Sequence, residues 1–163
     1  SVISFARDLV ISVGATDSWA ATLVGVLAVC NGLGRVVTGI VFDKMGRRFA
    51  MLFSNLLTIF AALTTLASIL LGSLPICIVG LCLTGLSYGS CPTVCSAFVS
   101  SFYGAKHFPT NFSLINFNLI AASFIATFSS KLIAVSGGYI LPFAMLLCLS
   151  LAALLLNFTI KKP

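Results

Sequence analysis

The apolar residues of this chain run in long blocks, and most of its charges are gathered at the joints between them. A helix that crosses a bilayer needs about 20 mainly apolar residues. Five blocks meet that need, at residues 18–42, 49–71, 75–102, 109–131 and 139–158. Thr16, Asp17 and Ser18 offer an N-cap to the first, and Trp19 stands where an interfacial anchor belongs. Gly72-Ser73 and Pro75 end the second block, and Pro75 opens the third near a helix first turn. Ser1–Ala6 is expected to be the tail of a sixth span, with Arg7 and Asp8 opening an external loop. The expected fold is all-α: a polytopic membrane protein of five complete transmembrane helices plus that tail.

Composition strengthens this reading. Of 163 residues, 60% are hydrophobic and 7% charged, whereas soluble domains carry about 25% charged residues. The formal charge of +6 does not point to nucleic acid, because the Lys and Arg form no continuous run and lie among membrane-length segments. They read as topology signals. Lys44, Arg47 and Arg48, then Lys106 two spans later, then Lys161 and Lys162 two spans after that, fall on one side. The opposite side holds Arg7 and Lys131. Loop 43–48 and the C-terminus are therefore expected in the cytoplasm, with the plasma membrane the expected location. The six cysteines all lie in apolar stretches and read as small hydrophobes. Cys91 and Cys95, at i,i+4, lack a third ligand nearby, so no metal is expected. The third span carries Gly85-x-x-x-Gly89 with Gly80, Ser87 and Ser90, residues that let helix backbones approach closely in lipid. Pro92 in the same span is a candidate flexible point.

The stretch GIVFDKMGRR (39–48) holds four of the chain's twelve charges. Joining two membrane helices in about six residues calls for Gly46, which takes positive φ without a side-chain clash. Basic residues suit a helix C-terminus, but Asp43 does not, since a carboxylate there opposes the helix dipole. Such a connection reads as one built to hold an adjacent helix and release it.

Gly39, Asp43, Lys44, Gly46, Arg47 and Arg48 together resemble the cytoplasmic loop signature of the major facilitator superfamily. That signature joins the second and third helices of each six-helix half. CNGLGRVVTGIVFDKMGRR, with FYGAKHFPTNFS at the start of the fourth span, is similar to the oxalate/formate antiporter family. The resemblance covers the chain and implies a C-terminal half of such a transporter, partnered by lipid and by an N-terminal half. It implies alternating access, with substrate held between the halves.

Arg35 lies eight residues before Asp43, about 12 Å below the helix end at 1.5 Å per residue, hence near mid-depth of a ~30 Å core. Helix side chains lean toward the N-terminus, here away from the nearer surface. Holding an arginine at that depth costs at least about 2.5–3.5 kcal/mol. Asp8, Asp17 and Asp43 all lie at helix ends or joints, so no acid within the spans faces Arg35. A guanidinium binds carboxylate in a two-pronged fashion, which makes a small organic anion, a mono- or dicarboxylate, the expected substrate. Asn31 at i−4, Tyr88 in the third span, and Asn116 or Asn118 in the fourth are the expected orienting groups. Asn116, Ser123, Thr127 and Ser130 form one stripe at 100° per residue, which favours Asn116 over Asn118. The fourth span offers no second cation at this depth, so a monocarboxylate fits as well as oxalate. Rival expectations are a proton-coupled drug or cation exporter, which would need an acid in the membrane, and a non-transporting sensor or scaffold. No enzyme is expected, with one His and no acid/base pair in the spans, and no cofactor.

Overall fold

In a computed structural model, residues 6, 8, 11, 16–136 and 138–159 are described. They form α1 (Asp17–Met45), α2 (Arg47–Leu71), α3 (Leu74–Asn116), α4 (Asn118–Ser136) and α5 (Ile140–Thr159). No strand occurs among the described residues. Five helical stretches are long and apolar enough to cross a membrane: Thr22–Met45, Arg47–Leu71, Leu74–Gly104, Lys106–Ala134 and Ile140–Thr159. Lys161, Lys162, Arg7 and most of Ser1–Ala6 lie outside the described residues.

The connections are tighter than the sequence led us to expect. In place of a six-residue loop, α1 continues to Met45 and α2 begins at Arg47, leaving Gly46 as the whole joint. Its φ of 82° and ψ of 175° lie in a region open essentially to glycine alone. The Gly46 N–H still reaches the Phe42 carbonyl at 3.0 Å. Asp43 and Lys44 therefore sit in the last turn of α1, and Arg47 and Arg48 in the first turn of α2. The third and fourth spans meet in the same way. Gly104, with φ 68° and ψ 173°, interrupts α3, and Lys106 and His107 follow it as the Arg pair follows Gly46. At the opposite end Gly72 closes α2 in the left-handed conformation (φ 59°, ψ 30°), with Ser73 N–H on the Ser68 carbonyl at 3.2 Å, a common helix C-cap.

The central helix is α3, which packs on both α1 and α2, while α5 lies on α2. Toward α2 the contact is antiparallel and hydroxyl-lined: Ser90 bonds Ser54 at 2.7 Å, and Ser87 bonds Thr58 at 2.6 Å. A Cβ on Gly80 would stand 2.7 Å from Thr65 Oγ1. Toward α1 the approach is closer still. A Cβ on Gly85 would stand 2.7 Å from the Leu27 carbonyl oxygen, one on Gly89 would strike the Asn31 carbonyl, and one on Gly34 the Leu86 carbonyl. The small residues of α3 thus serve packing, on two faces at once. Lipid offers helices no hydrophobic reason to associate, so contact area and interhelical hydrogen bonds take over. The helix keeps helical φ and ψ through Pro92 and breaks at Gly104 instead. A cluster of Ala6, Leu23, Leu27, Cys77, Leu81 and Phe143 gathers α1, α3 and α5 toward the Gly72 end.

Candidate functional site

α1 positions two of the expected residues and α3 a third. α1 turns Leu23, Leu27, Gly34 and Thr38 inward, and Arg35, one position after Gly34, emerges exposed beside this contact. It lies ten residues, about 15 Å, from the Met45 end and thirteen, about 20 Å, from Thr22. Tyr88, one position before Gly89, is 54% exposed on α3.

Helical geometry relates the two. α1 and α3 run parallel, with Leu27 against Gly85 and Asn31 against Gly89. Viewed along the chain, Arg35 is about 100° clockwise of Gly34, and Tyr88 about 100° anticlockwise of Gly89. For two parallel helices that face each other, those rotations bring both side chains to the same side of the contact. Asn31 falls between the contact and Arg35. It is half-buried, and its Oδ1 is buried without a hydrogen-bond partner. By its i−4 spacing Asn31 shares the face of Arg35, and the structure puts it at the contact edge of that face, its backbone pressed on Gly89.

The fourth span contributes less than expected. Asn116 and Asn118 are both exposed, and among the described residues α4 packs chiefly on α5. Among the described residues neither asparagine's side chain has a hydrogen-bond partner. The helix is also interrupted between them. Phe117 N–H bonds Leu114 and Ile120 N–H bonds Phe117, each at 3.1 Å, so i→i−3 bonds replace i→i−4 and the turn tightens. The stripe read at 100° per residue assumed an unbroken helix, and here it loses its phase. Its hydroxyls are satisfied locally: Ser123 on the Leu119 carbonyl, Thr127 on Ser123 and Ser130 on Ala126. Such back-bonding lets a serine or threonine lie against lipid without an interhelical partner.

At the Gly46 end, Asp43, Lys44 and Arg48 are exposed, and Asp43 has no ion-pair partner among the described residues. Arg47 is held differently, its guanidinium carbon 4.6 Å from the centre of the Phe102 ring. Phe102 in turn stacks on Phe98 at 5.0 Å. Placed in the first turn of α2, Arg47 opposes that helix's dipole, and the ring face offsets part of this. Phe98 and Phe102 were not singled out in the sequence; their i,i+4 spacing near the basic joint was the available signal. No group of three or more metal-ligating side chains occurs among the described residues.

Arg35 exposed at mid-depth, a basic joint compressed to one glycine, and five membrane-length helices are what a comparison with known families has to account for. The profile of the Major Facilitator Superfamily matches residues 2–163. The chain belongs to the major facilitator superfamily. Comparison with curated proteins and with solved structures gave no match. As a superfamily member it is an integral membrane protein and a secondary transporter, a class distinct from enzymes.

Proposed function

We propose that this chain forms one half of a transporter for small organic anions, mono- or dicarboxylates, working by alternating access against a second six-helix half. The observation that carries the reading is Arg35. Its side chain leaves a helix near mid-depth and leans toward the N-terminus, away from the Gly46 end. It lies open at the α1–α3 contact, and the only acid between Thr22 and Thr159 is Asp43, eight residues away. An arginine in that setting is expensive unless an anion or a water-filled path receives it. Tyr88 on the same side supplies a hydroxyl for a substrate oxygen. The same shortage of acids tells against proton-driven export of cations. The likeness to the oxalate/formate antiporters rests on the stretches around Arg35 and around Phe108, and within it a monocarboxylate suits a single cation.

The test is uptake of labelled formate, acetate and oxalate by the full-length protein in proteoliposomes, with binding measured in parallel. We expect saturable binding of at least one carboxylate, lost in Arg35→Gln and partly kept in Arg35→Lys. Lysine retains the charge but not the planar fork. Unchanged affinity in Arg35→Gln would make Arg35 structural and remove the case for an anion.

A further inference from the structure

Between α4 and α5 lies a cleft that the anion reading does not use. Its volume is about 510 Å³, the size of a site that holds a small molecule. Phe124 and Phe128 of α4 and Met145 and Leu149 of α5 form its walls, and none of its lining comes from α1, α2 or α3. Thr127 also borders it, but its hydroxyl donates to the Ser123 carbonyl at 3.0 Å. The remaining polar group is the Lys131 ammonium. Lys131 is exposed, and no hydrogen bond or ion pair holds its side chain among the described residues.

Depth gives the cleft a direction. Lys131 stands three residues before Ala134, where its span ends, so about 5 Å from that end. Its four-carbon stem reaches the headgroup layer from there. Phe124 is ten residues from the same end, about 15 Å, or half of a ~30 Å hydrocarbon core. A single cation thus stands at the interfacial mouth of an apolar cleft one leaflet deep. We propose that this cleft binds an anionic phospholipid of the leaflet on the Gly72 side, its phosphate on Lys131 and an acyl chain between Phe124, Phe128 and Leu149. A helix of the opposite half fits less well. It would have to bring a carboxylate into the membrane to meet Lys131, which is costly, whereas lipid phosphates occupy that depth already. A net negative headgroup is favoured because a zwitterionic lipid carries its own cation beside the phosphate. The site stands whether or not Arg35 holds the substrate.

The test places a reporter in the cleft. Leu149 is 48% exposed, so Leu149→Trp has room, and its fluorescence, taken as the difference from the parent protein, reads contact with lipids brominated on one acyl chain. The purified full-length protein is held in phosphatidylcholine nanodiscs containing increasing amounts of brominated phosphatidylglycerol or brominated phosphatidylcholine. One lysine near anionic lipid supports about a fivefold preference, so half-maximal quenching by phosphatidylglycerol is expected at about one-fifth the mole fraction. Lys131→Arg should keep that preference and Lys131→Gln should lose it. Equal quenching by the two lipids, or a preference that survives in Lys131→Gln, would overturn the site. Quenching by neither would show that protein covers the cleft, and would overturn it as well.

Discussion

At the scale of single residues, Gly89 shows how one missing methyl group shapes this protein. Its absent Cβ lets the backbone of α3 rest on that of α1, in contact with the Asn31 carbonyl. Backbone cannot rotate away as a long side chain can, so Gly89→Ala should destabilise the folded protein by about 1–3 kcal/mol, the range for overpacking. Gly32 in α1 has nothing within 4 Å of a built Cβ. Gly32→Ala should be neutral or slightly stabilising, as alanine is the better helix former. Thermal unfolding of both variants in one detergent checks this, and equal midpoints would show that the two helices separate easily. The GxxxG spacing was readable as a packing signal, but which helix it meets was not. Gly85 and Gly89 face α1, while Ser87 and Ser90, interleaved with them, face α2.

At the scale of elements, the two joints at Gly46 and Gly104 share a conformation that other residues avoid, each followed by a pair of basic or titratable side chains. Gly46→Ala would force a Cβ into that region at a cost of about 1–3 kcal/mol. The variant is expected to unfold at a lower temperature and in lower yield than wild type, with Gly39→Ala as the control, since Gly39 is helical and has open space around it. Normal stability of Gly46→Ala would mean that the joint can be rebuilt in another geometry. The sequence made Gly46 legible as a turn. It did not reveal that the turn is a single residue, because helix ends depend on where the neighbouring helix lets the chain reverse. The break at Phe117 was likewise hidden. Asn116 and Asn118 lie about 200° apart on a helical wheel, and the wheel could not show the tightened turn that the i→i−3 bonds place between them.

At the scale of the whole molecule, the basic joints imply an orientation with Lys44, Arg47, Arg48 and Lys106 in the cytoplasm. Met45 is exposed at the Gly46 joint, so Met45→Cys in the full-length protein should react with a membrane-impermeant maleimide from the cytoplasmic side only. Labelling from outside intact cells would reverse the orientation. The proposed role of the joint as a latch makes a second demand on the same variant: substrate should change the labelling rate, because closing the latch covers the joint. Asp43, exposed beside it and without an ion-pair partner among the described residues, is placed to meet a cation or helix N-terminus of the opposite half in that state.

What the sequence determined by itself was the membrane, the five spans among the described residues, the glycine at the basic joint and the position of Arg35 along its helix. Each follows from length, composition or position along one helix, and none needs a neighbour. The tertiary structure alone decided which faces meet. It set Asn31 at the edge of the α1–α3 contact, left Arg35 and Tyr88 open on one side of it, and left Asn116 and Asn118 exposed. The reason is physical: in lipid the apolar pattern covers every face of a helix alike, so periodicity marks no inward side. Pairing is settled by backbone approach at small residues and by a few interhelical hydrogen bonds, which exist only once two helices are already side by side.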